Sequence, residues 1–439
     1  MYLKRILLGT AAGFCLSAGI AAADGHATTI TIATVNNGDM IRMQGLTEDF
    51  NSKHPDINVE WVTLEENVLR QNLTTDISTG GGAYDVMTIG TYEVPIWANN
   101  GWLVSLNDGM ADDYNADDLL PAIAGGLTVD GNLYASPFYG ESSMVMYRKD
   151  LMEKAGLEMP DAPTWTFIRE AAAAMTDRDN DINGICVRGK AGWGENMAFL
   201  TAMSNSFGAR WFDEDWSAQF DSPEWAETLE FYLGMLNESG PAGAANNGFN
   251  ENLTLFQQGK CGMWIDATVA ASFVTGEDSM VADKVGFALA PDNGLGKRGN
   301  WLWAWSLAIP SSSEKQEAAK AFISWATGPA YATLVAGNEG WANVPPGTRT
   351  SLYENQDYQD AAPFAQMTLD SILSADPTNP SVQPVPYTGV QFVAIPEFAG
   401  IANQVGQEFS NALAGNQSAE QALENAQELT TDEMEAAGY

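Results

Sequence analysis

The first part of the chain alternates between two periodicities of apolar residues. Residues 28–35 and 57–61 place apolar side chains at every second position, which predicts strands with one buried face. Residues 43–50 and 69–77 repeat them at helical spacing, and 84–89 (YDVMTI) is the nearly continuous apolar run of a strand buried on both faces. This order of strand, helix, strand, helix and strand predicts an open α/β sheet.

Polar side chains follow two of these strands where the chain leaves the sheet. Asn36 and Asn37 come after the first strand, and Tyr92 and Glu93 follow the third. In open α/β sheets, ligands bind beyond the carboxyl ends of the strands. We therefore expect Asn37, Tyr92 and Glu93 to face a ligand. The glycine run 80–82 lacks the lysine and the flanking elements of a phosphate loop, and it fits a helix end instead.

The stretch 134–150, YASPFYGESSMVMYRKD, carries an acid between two apolar strand-like segments. A carboxylate amid so much apolar surface is costly to bury unless it is hydrogen-bonded. A strand that leaves one core, bends at Pro137 and Gly140 and enters a second core would hold Glu141 in the cleft between the cores. We interpret this stretch as the first crossing between two lobes. The alternative is a solvated acid at a strand end.

Two later segments repeat this arrangement. Residues 259–266, GKCGMWID, form an apolar strand that ends on Asp266, and we interpret it as the second crossing. A third candidate, WLWAWSLAIP, carries Trp301, Trp303 and Trp305 on one strand face. Three tryptophans are bulky for a packed interior, so at least one should face a cleft, although the pattern does not say which.

Further aromatic side chains lie in loops rich in glycine and proline. Trp193 and Asn196 follow the segment GKAG and combine an aromatic face with a hydrogen-bonding amide. Trp193 is a ligand platform in one interpretation and simple lid packing in the other. Trp341 is presented by the rigid loop GNEGWANVPPGTRTS, and most of the remaining chain has helical periodicity.

One acidic run has part of the spacing of a calcium loop. Asp177, Asp179 and Asp181 alternate, but Gly184 falls two positions late and no glutamate occupies the closing position. A polar turn before a strand at 185–187 is favoured, with calcium as the alternative.

The length and the N-terminus indicate an exported protein of two lobes. The chain has 439 residues, too many for one core. Residues 1–23 combine positive charges, an apolar run and Ala21-Ala22-Ala23, the pattern of a secretory signal peptide cleaved after Ala23. The bulky Phe14 before Cys15 does not fit a lipid-attachment site. We therefore expect an exported protein without a lipid anchor.

Charge and cysteine content narrow the partners and the compartment. The formal net charge of −37 repels phosphate backbones, so we expect no nucleic-acid partner. Cys186 and Cys261 remain after loss of the signal peptide, and two cysteines in an oxidising compartment predict one disulfide. The alternative is two unrelated buried thiols.

The sequence shows no reactive constellation typical of an enzyme. His26 and His54 lack metal-ligand spacing, and there is no Gly-x-Ser-x-Gly motif. Glu93, Glu141 and Asp266 could supply the two carboxylates of a glycosidase, but nothing specifically supports hydrolysis.

The candidate cleft instead offers aromatic faces together with amide and carboxylate groups. Sugars and polyols present C–H patches that pack on aromatic rings and hydroxyls that bond to carboxylates. Such charge-assisted hydrogen bonds contribute roughly 1.5–3 kcal/mol each. These aromatic, amide and carboxylate side chains favour binding without turnover, and we expect no cofactor.

Several segments resemble the extracellular solute-binding proteins of ABC importers, the class that includes maltose-binding protein, and more closely its sorbitol/mannitol-binding branch. The segments are ATVNNGDMIRMQ (33–44), YDVMTIGTYEVPIW (84–97), PFYGESSMVMYRKDL (137–151), DINGICVRGKAGWGENMA (181–198), GKCGMWIDATVAA (259–271), WLWAWSLAIP (301–310) and GWANVPPGTR (340–349). The resemblance implies a periplasmic-binding-protein fold, with two α/β lobes joined by a hinge of crossing segments.

By this analogy, one lobe takes residues 24–137 plus 267–309 and the other takes 138–266 plus 310–439. The binding residues implied for the cleft are Asn37, Tyr92, Glu93, Glu141, Trp193, Asn196, Asp266, Trp303 and Trp341. The maltose-binding relative has an acid where this sequence has Asn37, which fits a smaller neutral ligand.

The expected function is a monomeric periplasmic receptor for a sugar alcohol of the mannitol, sorbitol or arabitol type, which it delivers to the membrane permease subunits of an ABC importer. Three alternatives stay open: the same role for a mono- or disaccharide, a secreted glycoside hydrolase, and a surface carbohydrate-adhesion module.

Overall fold

A computed structural model describes residues 27–439 of the chain. The predicted signal peptide 1–23 lies outside the described residues.

The described residues form strands and helices in the order that the periodicities predict for residues 28–89. The strands are β1 (Thr28–Val35), β2 (Ile57–Leu64), β3 (Val86–Ile89), β4 (Thr128–Val129), β5 (Asn132–Leu133), β6 (Ala135–Glu141), β7 (Ser143–Arg148), β8 (Asn183–Cys186), β9 (Cys261–Ala267), β10 (Val285–Leu289) and β11 (Trp303–Ala308). The helices are α1 (Gly38–Gly45), α2 (Thr47–Lys53), α3 (Glu66–Thr79), α4 (Glu93–Asn99), α5 (Pro121–Gly125), α6 (Lys149–Lys154), α7 (Trp165–Met175), α8 (Ala198–Phe207), α9 (Pro223–Ser239), α10 (Phe249–Gln257), α11 (Ala270–Val274), α12 (Gln316–Thr327), α13 (Pro329–Glu339), α14 (Thr350–Glu354), α15 (Gln356–Ala361), α16 (Ala365–Ser374), α17 (Phe398–Leu413) and α18 (Ala419–Ala437).

Two mixed sheets organise these elements into the predicted pair of α/β lobes. The first sheet has the strand order β2-β1-β3-β11-β6, and β1 runs parallel to β2 and β3 while β11 is antiparallel to both of its neighbours. The second sheet has the order β10-β7-β9-β8. In β1, the buried residues Ile30, Ile32 and Ala33 pack into the core, and β3 is buried along its whole length, as its apolar run predicts.

The chain first crosses between the sheets at Ser142, inside the predicted stretch 134–150. β6 ends at Glu141 in the first sheet and β7 begins at Ser143 in the second. A loop of the later chain packs on this crossing, since the amide of Gly140 donates to the carbonyl of Pro346 at 2.9 Å. A Cβ atom on Gly347 would lie 1.9 Å from the carbonyl oxygen of Gly140, and Gly347 has a φ of +74°, so only glycine fits there.

The strand pairings correct two of the predicted lobe limits. The predicted second crossing after Asp266 is wrong, because the chain returns to the second sheet as β10, which pairs with β7 along its length. The return to the first sheet occurs between β10 and β11. Within 310–439, α12 packs on β6 and β1 of the first sheet. Apolar periodicity identifies a strand, but its hydrogen-bonding neighbour depends on tertiary packing, which explains both differences.

The predicted disulfide joins Cys186 at the end of β8 to Cys261 at the start of β9, with 5.9 Å between their Cα atoms. Both residues are fully buried, and the bond ties together two neighbouring strands of the second sheet. The alternative of two unrelated thiols is therefore excluded.

The described residues give the acidic run no metal-site geometry. Asp177 pairs with Lys154 at 3.3 Å and Asp181 with Lys260 at 2.7 Å. Between residues 27 and 439, no group of three or more metal-binding side chains converges on a common point. A search of the same residues finds no helix with the length and apolarity required to span a bilayer.

Candidate functional site

A small cavity lies between the two sheets, at the carboxyl end of β1 and beside the crossing at Ser142. It is lined by Asn37, Glu66, Arg70, Tyr139, Glu141, Arg188, Trp193, Gly194, Ala198, Phe249, Ala267, Val269, Trp301, Trp303, Trp305 and Gln391. Both sheets contribute to this wall, so the cavity belongs to the cleft between the lobes.

The aromatic part of the wall comes mainly from β11 and the residues just before it. Trp301, Trp303 and Trp305 all line the cavity, because the alternation of a strand sends them to the same face. Trp193 meets this row with its ring centroid 5.6 Å from that of Trp303 in an edge-to-face arrangement. Together these rings offer flat apolar surface on more than one side of the cavity.

Glu141 reaches the cavity from the last position of β6, where it pairs in register with Trp303. The residue is 5 % exposed, and burial raises the pKa of its carboxyl well above the ordinary value. The positive charge of Arg188 opposes this rise in pKa and the negative charge of Asp266 adds to it. No side chain among residues 27–439 donates a hydrogen bond to this carboxylate, which leaves its oxygens available to a ligand.

Arg188 enters the cavity from the loop after β8 and is held by Asp266 of β9. Its Nε lies 3.0 Å from Asp266 Oδ2 and its Nη2 lies 2.7 Å from Oδ1, a bidentate pair. Its Nη1 donates to the carbonyl of Gly194 at 2.6 Å. Burial would lower the pKa of Arg188, but the charge of Asp266 raises it above its usual range, so the guanidinium is a fixed positive group.

Asp266 does not itself line the cavity, unlike the expectation from its place at a strand end. Its carboxylate is fully buried and also accepts from the indole Nε1 of Trp264 at 3.1 Å and from the amide of Ala267 at 2.7 Å. The residue acts on the cavity through Arg188, which the sequence analysis did not select.

Tyr92 and Glu93 also lie outside the cavity wall. The Tyr92 hydroxyl donates to the carbonyl of Ile395 at 3.1 Å and accepts from the amide of Ala399 at 3.2 Å. Glu93 accepts from the amide of Gly90 at 2.9 Å and pairs with Arg70 at 2.5 Å. The chain begins α4 at Glu93, and this turn directs both side chains away from the cavity.

Asn196 and Trp341 do not line this cavity either. Asn196 is fully buried, and its amide donates to the carbonyl of Gly406 at 2.8 Å and accepts from the amide of Gly192 at 3.2 Å. Trp341 lines a different cavity, beside α13 and the loop that packs on Gly140. Of the nine predicted binding residues, those that line the cavity are Asn37, Glu141, Trp193 and Trp303.

Most of the lining residues that the sequence analysis missed come from helices and loops, whereas Tyr139 and Ala267 lie on β6 and β9. Glu66 and Arg70 lie one turn apart on α3, and Gln391 lies in the segment before α17, where its amide donates to the carbonyl of Leu302 at 2.8 Å. The only signal for Arg70 was its position on the polar side of an amphipathic helix, which is shared by many solvated side chains.

Contacts between the lobes close the cleft over the cavity. Lys190 of the second lobe pairs with Glu65 of the first at 2.6 Å, and the amide of Asn67 donates to the carbonyl of Ala191 at 3.1 Å. Burial raises the pKa of Glu195 to about 7, against the opposing charges of Arg188 and Lys190. These contacts define the closed conformation of a two-lobed binding protein.

Similar proteins agree with this architecture. A mannitol-binding protein of Pseudomonas aeruginosa is 56% identical over 414 residues, covering 94% of each chain. The crystal structure of an ABC transporter solute-binding protein from Agrobacterium vitis S4 with bound D-mannitol is 69% identical, with a TM-score of 0.93 over 94% of this chain and 100% of that one. A solute-binding protein of Agrobacterium radiobacter K84 in complex with ribitol shares the fold, with a TM-score of 0.81 at 23% identity over 92% of this chain and 98% of that one.

The family model described as bacterial extracellular solute-binding protein matches residues 37–333. This range includes strands β2 to β11 and every residue that lines the cavity except Gln391. With its two sheets, its interlobe cavity and these relatives, the chain belongs to the bacterial extracellular solute-binding proteins.

Proposed function

We propose that this chain is the periplasmic receptor of an ABC importer and that it binds a linear hexitol, of the mannitol type, in the cavity between its lobes. The observation that carries the proposal is the combination of Glu141, a buried carboxylate free of protein donors, with four tryptophans and the fixed guanidinium of Arg188. The P. aeruginosa and A. vitis relatives, which are named for or solved with mannitol, support the choice of ligand.

The chemistry of the wall matches an uncharged polyhydroxy compound. Glu141 accepts hydrogen bonds from hydroxyls, Arg188 donates to hydroxyl oxygens, and Asn37 can do both. The C–H edges of the carbon chain pack on the tryptophan faces. A ligand that lacks one hydroxyl would leave a buried polar group unpaired, which gives the site its discrimination.

Binding without turnover is supported by the hydrogen bonds and ion pairs of Glu93, Glu141 and Asp266, the three acids that could supply the two carboxylates of a glycosidase. Glu93 is paired with Arg70, and Asp266 is bonded on both oxygens. Among residues 27–439, two carboxylates line the cavity, and Glu66 is paired with Arg70 at 2.8 Å, which leaves Glu141 as the one without a protein partner. Hydrolysis would require two carboxylates placed across the scissile bond as acid and as base or nucleophile. The receptor would then release its ligand unchanged to the permease subunits.

Isothermal titration of the mature protein with D-mannitol, D-sorbitol, D-arabitol and maltose tests the proposal. We expect dissociation constants in the micromolar range or tighter for at least one hexitol, corresponding to about −8 kcal/mol, and weaker binding of the disaccharide. Absence of heat with every polyol would overturn the ligand assignment. Release of reducing sugar from an oligosaccharide would overturn binding without turnover.

A further inference from the structure

A second opening lies on the outer side of the binding cavity. It is a groove of about 630 Å³ between α3 and α17. Arg70 and Trp193 line both the groove and the inner cavity, so these two side chains stand between them. The groove side of this boundary carries amide and hydroxyl groups from Asn67, Gln71, Thr74, Thr75, Asn403 and Gln407.

Arg70 is held firmly in this boundary. Its guanidinium carbon lies 3.9 Å from the ring centroid of Trp193 and 4.6 Å from that of Trp305. Its Nη2 pairs with Glu66 at 2.8 Å and its Nη1 with Glu93 at 2.5 Å. Ion pairs on two sides and aromatic rings on two faces leave the side chain one conformation.

Trp193 is fixed with equal firmness. Its ring packs against Tyr92 and Phe398, with centroid distances of 5.0 and 5.9 Å, and its amide donates to the side chain of Asn403 at 2.9 Å. α3 belongs to the first lobe and Trp193 to the second, so the boundary is completed only when the lobes close.

We propose that Arg70 and Trp193 form a partition that sets the length of the ligand, by ending the binding cavity where a longer cleft would otherwise continue into the groove. The inference rests on the proposed function and adds its size limit. With the partition removed, the cavity and the groove join, and the amides and hydroxyls of the groove face the hydroxyls of an additional sugar ring. The ligand class admitted is then a glycosylated hexitol.

Steric exclusion explains why such a rigid pair is useful. A hexitol and a glycosylated hexitol share their polyol end, so contacts with that end cannot tell them apart. A fixed wall at the far end discriminates by a clash that only the longer ligand suffers, and it does so without weakening the contacts to the shorter one.

Titration with D-mannitol and with 1-O-α-D-glucopyranosyl-D-mannitol tests the partition. For the unmodified protein, we expect mannitol to bind at least 100-fold more tightly than the glucosyl derivative. In Arg70→Ala, and separately in Trp193→Ala, the affinity for the glucosyl derivative should rise until the two ligands differ by less than tenfold. Arg70→Lys, which keeps a long, positively charged side chain beside Glu66 and Glu93, should continue to exclude the longer ligand.

Circular dichroism and thermal melting establish that each variant is folded before it is titrated. A folded Arg70→Ala or Trp193→Ala whose affinity for the glucosyl derivative does not rise above that of the unmodified protein overturns the partition, whatever its affinity for mannitol, and so does an unmodified protein that binds both ligands equally well. The latter measurement needs no variant. Failure of the unmodified protein to bind any hexitol would instead overturn the proposed function.

Discussion

Replacement of Asp266 by asparagine tests whether this residue contacts the ligand or positions Arg188. The carboxylate is fully buried and accepts from the guanidinium at 3.0 and 2.7 Å. Asparagine has nearly the same shape but no charge, and its amide nitrogen presents a donor to a guanidinium that only donates. Asp266→Asn therefore leaves the buried guanidinium without its bidentate partner, with Glu195 at 3.8 Å as the nearest remaining counter-ion.

The expected cost follows from the burial of both partners. Breaking a buried ion pair by removing one charge destabilises a protein by about 3–5 kcal/mol, because the remaining charge stays desolvated. Whole domains are stable by only about 5–15 kcal/mol. We therefore expect Asp266→Asn to lower the free energy of unfolding by about 3–5 kcal/mol, and to weaken hexitol binding by tenfold or more as the Arg188 guanidinium loses its fixed position.

Urea unfolding of four proteins measures this effect: the unmodified chain, Asp266→Asn, Arg188→Met and the double variant. Because the two side chains act on each other, the double variant should be more stable than the sum of the single losses predicts, by about 2 kcal/mol or more. Additive losses, or an Asp266→Asn protein of normal stability that no longer binds hexitol, would refute the positioning role and indicate direct contact with ligand.

Three further predictions concern the acids and the disulfide. Glu141→Ala should weaken hexitol affinity at least tenfold by titration, since one charge-assisted hydrogen bond is worth roughly 1.5–3 kcal/mol, and unchanged affinity would remove Glu141 from the site. Burial raises the pKa of Glu195 to about 7 from its ordinary value of 4.5. The stability that this shift contributes is present below pH 4.5 and lost as pH rises through 7. The unfolding free energy of Glu195→Gln, measured with urea, should therefore rise by roughly 3 kcal/mol relative to that of the unmodified protein between pH 4.5 and 7. Equal pH dependence of the two proteins would contradict this. Replacing Cys186 and Cys261, which are 75 residues apart, by serine should cost about 4 kcal/mol of unfolding free energy, whereas equal stability with and without the bond would refute the entropic argument.

The sequence predicts the parts of the site that depend on local periodicity. Asn37 follows β1, Glu141 ends β6, and Trp303 shares a strand face with its neighbours, so their places at strand ends and on one face follow from patterns of period two. The disulfide could also be predicted, because the two cysteines that remain after the predicted signal peptide can form only one pair.

The parts that escape prediction depend on which elements meet in space. Arg70 and Arg188 belong to a helix face and a loop, where the sequence does not distinguish a buried cation from a solvated one. Asp266 ends its strand as predicted, but the presence of Arg188 beside it decides that it supports the wall instead of forming it. The membership of β10 in the second sheet is likewise set by pairing, which periodicity does not encode.

The single residue between β6 and β7 makes the crossing a short torsion joint. Glu141 precedes Ser142 directly, and the amide of Gly140 is tied to the carbonyl of Pro346 in an adjacent segment. At this crossing, a rotation that opens the lobes must therefore change a few backbone dihedral angles next to the carboxylate, because no flexible linker separates β6 from β7. Opening of the lobes about this joint would rotate Glu141 of the first lobe away from Arg188 of the second, so the separation of the lobes and the separation of these two charged side chains would be one motion.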